Sequence, residues 1–188
     1  MAKKFIILDT ETTGLEVRQG HKIIEIGAVV LNDRKKSSDH FHAYINPGRA
    51  IDEEASKVHG ISNKDLENEP MFAAIADDFI EFIQGSTLII HNAPFDVGFL
   101  NSELKSVSAK YPKLEDICEI EDSLVLARNK FPGQRNSLDA LANRFEVSGY
   151  DRSFHGALLD ANILADVYIY LTGGQSKFEF LDNTSTLN

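Results

Sequence analysis

The run Phe5-Ile6-Ile7-Leu8-Asp9-Thr10-Glu11-Thr12-Thr13-Gly14 carries an apolar strand into two carboxylates at its C-terminal end. Strand side chains alternate between faces, so Asp9 and Glu11, two positions apart, point the same way. Two neighbouring carboxylates repel and raise each other's pKa unless a cation neutralises both. Hard divalent ions such as magnesium take oxygen ligands of this kind at an open site. An isolated Asp-x-Glu is ordinarily no more than an acidic strand end, so the remaining segments decide its meaning.

Two later segments supply partners. His91-Asn92-Ala93-Pro94-Phe95-Asp96 follows the buried-strand pattern Thr87-Leu88-Ile89-Ile90. Asn92 reads as a helix N-cap, and Pro94 is tolerated in a first turn, which puts Asp96 at a strand-to-helix junction. Farther on, His155-Gly156-Ala157-Leu158-Leu159-Asp160-Ala161 opens a helix whose apolar positions Leu159, Ile163, Leu164 and Val167 keep helical spacing. Asp160 falls in its first turns, and His155 precedes it on a loop freed by Gly156.

The 188 residues suit one domain with a substantial core, and a hydrophobic content of 43% is ordinary for a globular chain. No apolar run approaches a membrane span, and Met1-Ala2-Lys3-Lys4 enters a strand without a signal-peptide core, so a cytoplasmic protein with no membrane partner is expected. The single Cys118 rules out an internal disulfide and fits a reducing compartment. A net charge of −10 argues against tight nonspecific DNA binding, which rests on Lys and Arg neutralising phosphates. It does not exclude a nuclease, because bound metals reverse the local charge and a partner already on DNA raises effective concentration. Lys3-Lys4 and Arg34-Lys35-Lys36 read as solvated edges.

Strands are expected near 4–9, 22–31 and 39–46, as an antiparallel meander with a turn at Asn32-Asp33-Arg34. A helix over 71–84 shows an apolar face of Phe72, Ile75, Phe79, Phe82 and Ile83, with Gly85 as its stop. A strand near 87–90 and helices near 95–105, 122–130, 137–145 and 156–171 complete an α/β domain. Gly27 in a strand and Gly98 in a helix are read as permitting close packing. Thr172-Gly173-Gly174 reads as a helix stop, dividing a domain over 1–172 from a flexible tail over 173–188.

The Asp-Thr-Glu, Asn-x-x-Phe-Asp and His-x-x-x-x-Asp motifs together resemble, in order, the three motifs of the DEDDh class of 3′–5′ exonucleases. Within that class the chain is most similar to the family of proofreading epsilon subunits of bacterial DNA polymerase III. Gly20 to Val29, Val58-His59-Gly60-Ile61, Asn136 to Leu141 and Thr172-Gly173-Gly174-Gln175 share in that likeness, which runs from about Lys4 to Phe180. Any one motif is weakly specific; all three, in order and in the expected contexts, are strongly so.

The resemblance implies a ribonuclease H-like exonuclease fold, a mixed central sheet flanked by helices. It implies two divalent metal ions, Mg2+ or Mn2+, with Asp9 bridging, Glu11 and Asp160 completing one metal site, and Asp96 acting through a metal-bound water. The residues themselves support only a shared acidic cluster. His155 is the candidate general base, since a neutral imidazole near pH 7 accepts a proton from the attacking water. Thr10, Thr12, Thr13, Glu54 and His59 are candidate contacts to the terminal nucleotide. Glu54 is also readable as a solvated helix residue and His59 as a turn residue. His91 reads as a satisfied histidine supporting Asn92. The expected partners are single-stranded or frayed 3′ DNA ends, the polymerase III catalytic subunit if the family's C-terminal segment is present, and a sliding clamp held by Gln175, Phe178 and Phe180. Two alternatives stay open: an RNA-processing exonuclease of the same fold, and a non-catalytic adaptor between polymerase and clamp.

Overall fold

The computed structural model describes residues 4–173, so Gln175, Phe178 and Phe180 lie outside the described residues. Its centre is a five-stranded sheet in the order β3-β2-β1-β4-β5. The strands are β1 (Phe5–Thr12), β2 (Ile23–Asn32), β3 (Lys35–Tyr44), β4 (Thr87–Ile90) and β5 (Glu119–Asp122). The first three form the expected antiparallel meander, whereas β4 runs parallel to β1, and β5 parallel to β4. The sheet is therefore mixed.

The helices are α1 (Glu53–His59), α2 (Asn63–Leu66), α3 (Phe72–Ile83), α4 (Ala93–Val107), α5 (Leu114–Ile117), α6 (Ser123–Lys130), α7 (Leu138–Arg144) and α8 (Ala157–Gly173). On one sheet face, Ile6, Leu8 and Leu88 pack with Phe72 and Phe79 of α3 and with Leu100 of α4. On the other, Ile7, Val29 and Ile89 meet Ala161, Leu164 and Ala165 of α8. Since Ile7 faces α8, strand alternation turns Asp9 and Glu11 toward the same helix.

Four sequence expectations need revision. The first strand does not stop at residue 9: pairing with β2 carries it to Thr12, so both acids stand on regular strand. The short Glu119–Asp122 strand was missed because its acidic sequence lacks strand character, yet the otherwise open edge of β4 supplies its backbone hydrogen bonds. Asn92 makes no side-chain cap; it starts α4 from the left-handed region at φ 67°, which Asn tolerates better than most residues. Gly98 has nothing within 4 Å of the position a Cβ would take, so packing does not require glycine there.

Gly27 meets its expectation closely. A Cβ there would stand 2.2 Å from Leu158 N and 2.4 Å from Ala157 C, both backbone atoms at the start of α8. The helix is held at its far end too. Asp33 and Arg34, both at positive φ, make the two-residue β2–β3 turn whose backbone matches strand twist. From that turn the Arg34 guanidinium donates to Ile169 O and Thr172 Oγ1, and Lys130 Nζ donates to Leu171 O. These cations complement the helix C-terminus, where carbonyls lack intrahelical donors. Arg34 thus does more than solvate an edge.

Candidate active site

The C-terminal end of β1 brings Asp9 and Glu11 against α8, with α4 closing in from the other side. Asp96, in the first turn of α4, is buried; its Oδ1 accepts the Thr10 N–H at 3.1 Å and the Thr10 hydroxyl at 2.6 Å. Asp160, in the first turn of α8, is also buried; its Oδ2 accepts from His155 Nδ1 at 3.0 Å, and its Oδ1 from the Arg152 guanidinium. Arg152 also pairs with Asp139. The His155 N–H donates to Val58 O at 3.0 Å, tying the loop before α8 to the end of α1.

A carboxylate can only accept, so His155 carries a proton on Nδ1. In the neutral ring, Nε2 then keeps its lone pair, on a side chain 37% exposed, with Asp139 Oδ2 3.9 Å away. That nitrogen is placed to take a proton.

Burial raises the pKa of all four acids, and neighbouring acids add to the rise at Asp9 and Glu11. Burial pushes Asp9 well up, and repulsion from Asp96, Glu11, Asp160 and Glu25 adds to it. Burial, then Asp160, Glu25 and Asp96, push Glu11 up to about 8, with Arg152 opposing. Asp96 rises to about 7 by burial, against the lowering effect of its Thr10 hydrogen bonds. Burial also raises Asp160 despite Arg152 and His155. Four acids held together at this cost suit a cation site. Ligand atoms of Glu11, His155 and Asp160 lie within 4.8 Å of one another, close enough to share one ion.

The candidate substrate residues divide. The hydroxyl of Thr10 is bound to Asp96, that of Thr12 to Gly14 O at 2.6 Å, and that of Thr13 to His21 Nδ1 at 2.9 Å. All three threonines are buried. His59 is buried as well: its Nδ1 accepts the Ile61 N–H, so Nε2 donates to Thr12 O at 3.3 Å, and burial lowers its pKa. Glu54 stands on the exposed face of α1, paired with Lys57 at 2.8 Å. His91 is satisfied as expected, by Ser123 Oγ and Asn136 O, and so braces the 136 loop rather than Asn92, whose N–H goes to Asp122.

Sequence reading missed Glu25, which faces Glu11 across the β1–β2 register, and Arg152. A signal for Glu25 was present: one acid inside the otherwise apolar run Ile23 to Leu31. Arg152 offered none, because its partners lie on two different helices.

The sequence profile of the exonuclease family RNase_T matches residues 6–168. The chain belongs to this exonuclease family. It is a nuclease hydrolase of a family that depends on divalent metal. DNA polymerase III subunit epsilon of Rickettsia typhi is 53% identical over 184 residues, covering 97% of this chain and 80% of that one. The subunit of the same name from Escherichia coli K12 is 49% identical, covering 93% and 74%. Among solved structures, exonuclease X in complex with 5′ overhanging duplex DNA superposes with a TM-score of 0.72 at 26% identity, over 92% of this chain and 93% of that one. The nuclease domain of 3′hExo, a DEDDh family member bound to rAMP, gives 0.77 at 20% identity over 92% of each chain and shares the fold. The expected exonuclease fold and the DEDDh resemblance are borne out. No helix among the described residues is long and apolar enough to cross a membrane.

Proposed function

We propose that this exonuclease removes mispaired 3′-terminal nucleotides from DNA as 5′-mononucleotides, as the proofreading subunit of a replicative DNA polymerase III. The observation that carries this reading is the convergence of Asp9, Glu11, Asp96 and Asp160 with a histidine whose Nδ1 is held by Asp160. Identity of about half to epsilon subunits supports the DNA substrate and the polymerase partner.

Two divalent ions, Mg2+ or Mn2+, would be held by Asp9, Glu11 and Asp160, with Asp96 contributing through water. Once bound, such ions offset the carboxylate charge, activate water and stabilise charge building on the phosphate. His155 Nε2 takes the proton of the attacking water. Asp160 holds the other ring nitrogen and favours the imidazolium that forms. The water oxygen bonds to phosphorus, the bond from phosphorus to the preceding O3′ breaks, and that oxygen is protonated as the new 3′ end. Thr10 keeps Asp96 aimed at Asp9. Thr12 and Thr13, braced by His59 and His21, shape the floor beneath the terminal nucleotide, while Glu54 meets it from the exposed face of α1. Weak intrinsic DNA affinity, expected of an acidic chain, is offset by tethering to the polymerase and, through Gln175, Phe178 and Phe180, to a sliding clamp.

A time course on 5′-labelled oligonucleotides tests this. Mismatched DNA ends should shorten stepwise, faster than paired ends, with magnesium or manganese and not with chelator, because a mismatched end costs less to unstack. Equal rates on matched and mismatched ends, or faster digestion of the matching RNA, would overturn it.

A further inference from the structure

Glu25 sits in a strand whose neighbours Ile24 and Ile26 are fully buried, and is itself 2% exposed. A fifth acid beside the four of the site is unfavourable unless its oxygens are well bonded. They are. Oε2 accepts the Ala157 N–H at 2.9 Å, and Oε1 accepts from His42 Nε2 at 2.8 Å. Ala157 is the first residue of α8, and its N–H is one of those a helix start leaves without an internal partner. Gly27, two residues along the same strand, lets the backbone of Ala157 and Leu158 rest on β2 with no slack. His155 lies two residues before this anchor, and Asp160 three residues after it.

We propose that Glu25 is a positioning residue: a hydrogen-bond anchor, braced by His42, that seats the first turn of α8 so that His155 and Asp160 meet Asp9 and Glu11. This rests on the reading of the site as a hydrolytic centre and names the residue that sets its geometry. A misplacement of about 1 Å can cost about a hundredfold in rate, so an anchor at the helix start controls turnover more than substrate affinity.

The test uses the full chain with Glu25→Ala, Glu25→Gln and His42→Ala. For Glu25→Ala, kcat should fall by about a hundredfold with KM for a mismatched oligonucleotide within about twofold. Exchange of the Ala157 amide hydrogen should quicken by at least about tenfold while that of Leu164, deep in the same helix, stays as in the wild type. Glu25→Gln keeps an oxygen for Ala157 and lets neutral His42 accept from the side-chain amide, so it should recover at least about tenfold of the lost kcat. His42→Ala, which leaves Glu25 and Ala157 untouched, should lower kcat by about fivefold at constant KM, and it decides the matter if Glu25→Ala does not fold. Wild-type turnover in Glu25→Ala or His42→Ala, no recovery in Glu25→Gln, or an Ala157 amide still protected in Glu25→Ala would overturn the proposal. The exchange measurement needs no substrate, so a wild-type chain inactive on DNA would sink the proposed function and leave the anchor still decided by Ala157.

Discussion

Thr10 holds Asp96 through two hydrogen bonds to the same oxygen, one from its backbone N–H and one from its hydroxyl. A threonine between two acids of β1 thus fixes a third acid on α4. Thr10→Val keeps the shape and removes the hydroxyl donor, a loss of about 1.5–3 kcal/mol for a bond to a charged group. The expected result is exonuclease activity lower by about tenfold or more and a higher manganese concentration for half-maximal rate, both restored by Thr10→Ser. An unchanged manganese requirement would show that Asp96 needs no such support.

His155 offers Nε2 while Asp160 holds Nδ1. His155→Ala should slow single-turnover hydrolysis by about 10²–10⁴, with manganese binding by calorimetry altered far less. If manganese affinity collapsed along with the rate, His155 would be a metal ligand, as its closeness to Glu11 and Asp160 allows.

Two glycines should respond oppositely. Gly27→Ala drives a methyl into the backbone of Leu158, which cannot turn aside. A loss of about 3 kcal/mol, or roughly 6–12 °C in Tm, is expected along with most activity. Gly98→Ala meets nothing and lies within α4, so it should gain about 0.5–1 kcal/mol by limiting the unfolded chain and favouring helix. Calorimetry of both variants checks the contrast, and a stable Gly27→Ala would refute the close seating of α8.

The acids make metal-free stability depend on pH with a definite sign. Glu11 has a folded pKa near 8 against an ordinary 4.5, and Asp96 one near 7 against 3.8. A raised folded pKa means the native state binds more protons, so the stabilisation is complete below the ordinary values and is lost as pH climbs through the folded ones. In chelator, Tm should fall between about pH 5 and about pH 8.5. Manganese at a hundred times its dissociation constant adds about 2.7 kcal/mol, or roughly 5–10 °C, and binds more tightly at higher pH because it displaces protons. A Tm indifferent to both pH and metal would contradict the charge crowding of the site.

For the tail, Phe178→Ala with Phe180→Ala should abolish clamp binding while leaving digestion of free oligonucleotides unchanged, since aromatic anchors can each contribute about 2 kcal/mol or more. Titration of the clamp against both proteins measures it. Equal affinities would exclude Gln175, Phe178 and Phe180 as the contact.

By itself the sequence determined the elements whose signal is local. Alternation put Asp9 and Glu11 on one face of β1, the spacing from Phe72 to Ile83 marked α3, and three ordered motifs named the candidate residues of the site. Short or acidic segments carried no such signal: β5 is a strand because β4 offers it hydrogen bonds, and α1 is too short for periodicity to mark it. Only the tertiary structure decided how the acids are held. Glu25 reads in the sequence as a polar interruption of an apolar strand, and its partner amide lies 132 residues away. The threonines of the first motif read as candidate substrate contacts, and only folding decided that their hydroxyls engage Asp96, Gly14 and His21. Such assignments depend on which donor and acceptor meet when the sheet and helices close. Periodicity records which face of an element is buried, and it holds no information about what that face will meet.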